Sequence, residues 1–217
     1  MDFENARFNM IEQQIRPWDV LDAKVLDLLF HVKREDFVEQ DKRALAFVDT
    51  ELPLANGSVM LQPKQEARLV QDLMLKSGDR VLEIGTGSGY VTALLARLSD
   101  HVHSVEIDPA MLEKASRHLK QAGIRNVTLL RGNGVEGLPE SAPFDAIFVG
   151  GSLPELPDAL KQQLAPGGRM IAVIGDLPVM QAVLIERESD TGFRQTVLFE
   201  TCVARLSDYA EPARFRF

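Results

Sequence analysis

From about residue 64 onward the chain alternates between two periodicities, and this restricts the fold more than any other feature. Leu69, Val70, Leu73 and Met74 make one apolar helix face. That helix is predicted to end near Ser77-Gly78, because glycine suits a left-handed C-terminal cap. Residues 80–84 then read as a short, branched-apolar strand, and Val91, Leu94, Leu95 and Leu98 return to helical spacing. Residues 101–106 form a second strand; Leu112, Ala115 and Leu119 define the next helix, with Gly123 as its cap. Strands follow at 126–130 and 145–149. Leu156, Leu160 and Leu164 mark a helix with Pro157 in its first turn, broken by Pro166-Gly-Gly168 before a strand at 169–174. Residues 182–186 and 196–204 read as two more strands, joined through Asp190-Thr-Gly192 as an antiparallel hairpin. Strands alternating with helices imply a parallel sheet covered on both faces. The expectation is an α/β fold: a doubly wound, mostly parallel, seven-stranded Rossmann-like sheet with an antiparallel C-terminal hairpin.

Residues 1–63 read as an N-terminal helical extension and 64–217 as the core, within a single domain over 1–217. Val20, Leu21, Val25, Leu26 and Leu29 repeat at helical spacing. The stretches Val32-Lys-Arg-Glu-Asp-Phe37-Val38 and Ala46-Phe47-Val48-Asp49 read as loop and short extended pieces, and Pro53, Asn56 and Gly57 mark turns. Trp18, after Arg16-Pro17, is a packing anchor for the extension or a residue of a substrate-side lid. Phe215 and Phe217 point to docking of the tail from Tyr209.

The net charge of −8 works against nucleic acid as a partner, since nonspecific affinity for phosphate backbones comes from Lys and Arg. The tail's Arg214-Phe215-Arg216 is too sparse to change this. No stretch approaches the roughly 18 apolar residues of a membrane helix, and the acidic, polar start is unlike a secretory signal. One cysteine, Cys202, cannot form an internal disulfide; together these features suit the cytoplasm.

The junction after the first strand reads Glu83-Ile84-Gly85-Thr86-Gly87-Ser88-Gly89-Tyr90. Glycines there permit a sharp turn and close approach of backbone to a ligand; the bland alternative is a tight turn with no ligand. A dinucleotide fingerprint needs Gly-x-Gly-x-x-Gly, and Tyr90 occupies the place of its third glycine. A nucleoside triphosphate loop would end in Gly-Lys-Ser/Thr, which is absent. A ligand without phosphates fits better. Glu106 ends the second strand 17 residues after Gly89, near the offset at which an acid meets ribose hydroxyls. A surface charge is the alternative there, and Asp108-Pro109 caps the next helix. Asn133, in Gly132-Asn133-Gly134, is placed to bond an adenine edge or to form a plain turn.

With these residues the chain resembles class I methyltransferases, and more narrowly the protein-L-isoaspartate O-methyltransferases. The wider match takes in Val32–Val38, Ala46-Phe-Val-Asp-Thr50 with Leu52-Pro53, Gln62-Pro63, Leu82–Tyr90 and Ala165-Pro-Gly-Gly168. The resemblance implies S-adenosylmethionine as cofactor, held by Glu83, Gly85, Thr86, Gly87, Ser88, Gly89, Tyr90, Glu106, Ile107, Asn133, Gly134 and Gln62. It implies methylation of the free carboxylate of isoaspartyl residues in damaged proteins, a repair reaction, with Asn56, Ser58, Leu61, Gly150 and Gly151 on the substrate side. Three positions depart from the family. Leu61 stands where the family has its active-site serine. Val149-Gly150-Gly151-Ser152 replaces Val-Thr-Ala-Ala, and Gly132-Asn-Gly134 replaces Gly-Asp-Gly.

The chemistry tolerates the missing serine. A carboxylate, with a pKa of about 4, is already an anion at neutral pH and needs no general base to attack a sulfonium methyl. Alignment of the two reactants lowers the barrier most. A serine orients the carboxylate, and Ser58, Asn56 or a backbone amide near Gly150-Gly151 can substitute. No metal is expected: His31, His101, His103 and His118 lack zinc-like spacing with the lone cysteine. Two alternatives stay open: a same-fold methyltransferase with a small-molecule substrate, and a non-catalytic module that binds S-adenosylmethionine.

Overall fold

The computed structural model describes residues 1–207 and Tyr209. Phe215, Phe217 and the Arg214-Phe215-Arg216 stretch lie outside the described residues. Helix α1 (Phe3–Met10) runs on through helical turns to Trp18, and α2 (Ala23–His31) follows, with the Asp22 carboxylate accepting from the amides of Lys24 and Val25. A small hairpin, β1 (Leu52–Pro53) with β2 (Val59–Met60), precedes α3 (Pro63–Asp72). The core then runs β3 (Arg80–Ile84), α4 (Tyr90–Leu98), β4 (His101–Glu106), α5 (Pro109–Gln121), β5 (Val127–Arg131) and β6 (Phe144–Leu153). It ends with α6 (Asp158–Gln162), β7 (Leu164–Asp176), β8 (Val179–Arg187) and β9 (Phe193–Thr201).

Seven strands form one sheet in the order β5-β4-β3-β6-β7-β8-β9. The first four contacts across it are parallel, and β8 and β9 pair antiparallel with their neighbours. The expected architecture and terminal hairpin are therefore present. The chain winds outward from β3 to β5, then returns to β6 on the other side of β3. That reversal opens a crevice beyond the carboxyl ends of β3, β4 and β6.

Strand parity decides which side chains meet which layer. Val81, Val102, Ala146, Phe148, Ile171 and Val173 face a large apolar cluster with α3, α4 and the N-terminal helices. Leu82, Ile84, Val105, Ile147, Val149, Met170 and Ala172 face a smaller one with Leu138, Leu160 and Leu164. The N-terminal extension is thus a cover for one sheet face, with Met10, Ile11, Ile15 and Leu29 at most 1% exposed. Trp18 is a packing anchor: it meets Phe199 edge-on at 5.9 Å and carries the Lys64 ammonium 4.4 Å above its ring.

Several boundaries differ from the sequence expectation. α3 ends at Asp72, and Met74, not Gly78, takes the left-handed conformation with φ of 52°. The cause is distant in sequence: Arg169 on β7 donates from Nε to the Leu73 carbonyl at 2.7 Å and from Nη2 to the Met74 carbonyl at 2.6 Å, while pairing with Asp79. The helix's orphan carbonyls are satisfied from outside, so it stops early. Residues 34–37 and 40–47 are 3₁₀ turns and not extended pieces. Pro157 is the N-cap of a shorter α6, and Leu164 already belongs to β7. In β7, Ala165-Pro-Gly-Gly168 bulges out, since Phe144 pairs with Leu164 but Ala146 pairs with Arg169. β6 is longer than expected and carries its own bulge: Phe148 pairs with Ile171 and Ser152 with Val173.

Candidate active site

The loop joining β3 to α4 turns on three glycines with positive φ: Gly85 at 90°, Gly87 at 53° and Gly89 at 85°. Their purposes differ. A Cβ on Gly89 would lie 3.2 Å from the Ala115 Cβ, so this glycine lets α4 and α5 approach each other. Gly85 and Gly87 line the crevice.

Beneath the loop lies a hydroxyl relay. Thr92 Oγ1 and Ser104 Oγ both donate to Glu83 Oε2, at 2.5 and 2.6 Å, and Thr86 Oγ1 is 2.6 Å from Ser104 Oγ. Ser104 has one proton and gives it to Glu83, so Thr86 donates to Ser104. Glu83 is fully buried, and its Oε1 has no partner. Burial pushes its carboxyl up to about 8, against the pull of the two hydroxyls. Ser104 was missed by sequence reasoning. The available signal was its register position directly opposite Glu83 across β3 and β4.

The crevice itself encloses about 720 Å³, part of it open to solvent. One wall is built from strand ends: Ile84, Gly85, Gly87, Val105, Glu106, Ile107 and residues 132–135. Glu106 is held in place by two amides, with Gly87 N donating to Oε2 at 2.8 Å and Asp108 N to Oε1 at 3.0 Å. Asp108 also caps α5, accepting from Ala110 N at 2.8 Å. Asn133 Oδ1 accepts from Val135 N at 3.0 Å, which shapes the turn after β5. A Cβ on Gly134 would lie 2.8 Å from Ile84 Cγ2, so the turn seals against β3 only with glycine.

The opposite wall comes from remote segments: Asn56, Ser58, Val59 and Leu61, the β6 bulge at Gly150-Gly151, and residues 204–207. Ser58 Oγ donates to Asn56 Oδ1 at 2.6 Å. Leu61 is 6% exposed, and its carbonyl accepts from Arg34 Nη2 at 2.6 Å. The same guanidinium donates to the Ala46 carbonyl at 2.7 Å and pairs with Glu66 at 2.8 Å. One buried arginine thereby ties the extension to the site wall. Burial raises the Glu66 carboxyl to about 7 even with Arg34 beside it. Gly150 sits so close to β3 that a Cβ would lie 2.9 Å from the Ile84 and Gly85 carbonyl oxygens.

Comparison with known proteins identifies this arrangement. A sequence model described as "Protein-L-isoaspartate(D-aspartate) O-methyltransferase (PCMT)" matches residues 5–209. The chain belongs to the protein-L-isoaspartate O-methyltransferase family. The chain is 39% identical over 191 residues to a protein-L-isoaspartate O-methyltransferase of Roseiflexus sp. (strain RS-1), covering 88% of this chain and 87% of that one. A protein of the same name from Anaeromyxobacter dehalogenans is 44% identical over 173 residues, covering 79% and 83%. A solved protein-L-isoaspartate O-methyltransferase superposes with a TM-score of 0.81 at 29% identity, covering 93% of this chain and 66% of that chain. A Plasmodium falciparum structure named as a putative protein-L-isoaspartate O-methyltransferase in complex with S-adenosyl-L-homocysteine also gives 0.81, at 22% identity, covering 96% and 100%, and speaks to the fold alone.

Within this methyltransferase frame, Gly85, Gly87, Glu106, Ile107, Asn133 and Gly134 line the cleft together with Asn56, Ser58, Leu61, Gly150 and Gly151. Six residues expected at the cofactor do not. Glu83 lies sealed beneath the loop. Gly89 packs on α5. Tyr90 stands against Phe37 at 5.5 Å and below the Arg34 guanidinium, because the start of α4 turns its side chain into the core. Gln62 caps α3, its backbone N–H donating to Gln65 Oε1 at 3.3 Å. Thr86 and Ser88 line a smaller adjoining hollow with Leu54 and Val91. The segment 204–207 was not foreseen at all, since no motif marks it. Among the histidines, His101 and His103 meet edge-on at 4.9 Å and His118 Nδ1 is 2.9 Å from the Ser88 carbonyl, so each has a packing role.

Proposed function

We propose that this protein uses S-adenosylmethionine to methylate the free carboxylate of isoaspartyl residues in polypeptides, as a single-domain repair enzyme. The observation that carries the reading is a cleft with a carboxylate on one side, Glu106, aligned by two backbone amides, and an open, partly polar wall on the other. S-adenosylmethionine supplies an electrophilic methyl group on a sulfonium. Glu106 presents two acceptor oxygens suited to a pair of ribose hydroxyls. Gly85 and Gly87 offer backbone without side chains, and Asn133 and Gly134 shape the floor where an adenine edge would rest.

On the acceptor side this chain's residues need only bind and orient an anion, because a carboxylate requires no deprotonation at neutral pH. Asn56, Ser58 and the Gly150-Gly151 bulge are suited to that positioning, and Leu61 contributes shape without a hydrogen bond. Ala204 and Arg205 also line a second hollow beside the cleft, and that adjoining room favours a polypeptide over a small enclosed substrate. Among the described residues no helix is long and apolar enough to cross a membrane. The lone thiol, Cys202, is exposed and suits the reducing cytoplasm in which we place the enzyme.

The test is methyl transfer to an isoaspartyl peptide, read as methanol released on hydrolysis of the ester, with the matching aspartyl peptide as control. Binding of S-adenosylhomocysteine is measured alongside by calorimetry. Binding of that product without any transfer to the isoaspartyl peptide would overturn the substrate assignment.

A further inference from the structure

Among the described residues, two charged residues line the cleft: Glu106 and Arg205. They stand on opposite sides of β3. Glu106 ends β4, and Arg205 runs alongside the end of β6. The strand-like seat of Arg205 is well defined. Ser152 N donates to the Ala204 carbonyl at 2.8 Å, Leu206 N to the Ser152 carbonyl at 3.1 Å, and Ser152 Oγ to the Val203 carbonyl at 3.0 Å. Gly151 makes this approach possible, since a Cβ there would lie 3.0 Å from Leu206 Cγ.

The guanidinium is held in turn. Arg205 Nη2 donates to Asp176 Oδ1 at 2.6 Å and Nη1 to the Gly175 carbonyl at 3.0 Å, while the side chain keeps 24% of its surface exposed. Ala204 and Arg205 also line the second hollow, with Glu51, Asp176, Leu177, Met180 and Cys202. Arg205 therefore borders both cavities.

We propose that Arg205 receives the acceptor carboxylate, taking over the orienting role that Leu61 cannot perform. This deepens the reading above and rests on it. A protein of net charge −8 with a glutamate in its cleft repels an anionic acceptor unless a local cation offsets that field. A guanidinium is the side chain best matched to a carboxylate, with charge and paired donors together. Asp176 fixes the guanidinium's position while competing with the acceptor for it.

The experiment uses the full chain and an isoaspartyl peptide with uncharged flanks. It compares Arg205→Met, Arg205→Lys and Asp176→Asn by KM, kcat and affinity for S-adenosylhomocysteine. Arg205→Met should raise KM about tenfold or more, the loss of one charge-assisted contact. Its affinity for S-adenosylhomocysteine should stay within about twofold of wild type, which also reports an intact fold. Arg205→Lys should fall between the two. Asp176→Asn breaks the same ion pair but leaves the cation, so its KM should equal or fall below the wild-type value. A structural role for the pair predicts instead that Arg205→Met and Asp176→Asn raise KM alike, and that result overturns the proposal, as does an unchanged KM in Arg205→Met. If Arg205→Met loses product affinity, Arg205→Gln is read by the same criteria. A wild-type enzyme that binds S-adenosylhomocysteine yet leaves the peptide unmethylated sinks the substrate assignment itself; an active wild type with an indifferent Arg205→Met sinks this inference alone.

Discussion

Replacing Glu83 by glutamine should make the protein's stability less sensitive to alkali. In the folded chain Glu83 is fully buried, one of its oxygens has no partner, and burial holds its carboxyl at about 8 against an ordinary value of 4.5. Between those two values the native state keeps a proton that the unfolded chain has released. The stability tied to that proton is fully present below the unfolded value and is lost as pH rises through the folded one. The slope reaches about 1.4 kcal/mol per pH unit. Integrated from about pH 5.5 to about pH 8, the loss is about 3 kcal/mol. Glutamine does not titrate, so the variant should gain that amount relative to wild type over the same interval, or roughly 6–12 °C in relative Tm for a chain of this size. Glu66, raised to about 7 by burial, titrates in both proteins and cancels in the difference. Parallel urea denaturation of both proteins across the interval reads the slope of the difference, which is independent of any fixed offset from the new amide. A difference that stays constant with pH, or shrinks, would refute a neutral Glu83 in the native state.

Three further outcomes follow from the geometry. Glu106→Gln exchanges one acceptor oxygen for a donor, so calorimetry should find S-adenosylhomocysteine affinity about 10- to 100-fold weaker; unchanged affinity would remove Glu106 from the ribose site. Arg169→Met removes the counter-ion of Asp79, whose side chain is 8% exposed and keeps only the Lys76 amide, and uncaps the Leu73 and Met74 carbonyls. Urea denaturation should show about 3–5 kcal/mol lost, and a loss under about 1 kcal/mol would mean water replaces the arginine there. Gly134→Ala places a Cβ 2.8 Å from Ile84 Cγ2 and 3.3 Å from Val105 Cβ. Overpacking of about 1–3 kcal/mol should appear in thermal melts, together with weaker product binding, and a neutral result would show that the turn yields freely.

How far these sites could be read in advance depends on the range of the interaction that sets them. The glycine loop, the Asp108 cap and the Glu106 position are local: each is a backbone demand met within a few residues of itself. Even there, the motif ran ahead of the geometry at Glu83, Gly89, Tyr90 and Gln62. Their residue types matched a cofactor loop, but which side of the turn a side chain occupies depends on the elements packed behind it. Ser104 was visible only through its register opposite Glu83, and register is a property of paired strands.

What the sequence alone determined is the alternation of strand and helix, the single seven-stranded sheet and the place of its ligand-facing turn, because periodicity and glycine spacing act within one element. Only the tertiary structure decided where α3 stops, since its cap is a guanidinium 95 residues away. It alone brought residues 204–207 to the cleft, through the β6 bulge and the close approach of Leu206 that Gly151, lacking a side chain, permits. Contacts of that kind join segments with no shared local pattern. They exist only after burial of the two apolar faces has fixed the sheet and carried distant chain ends together.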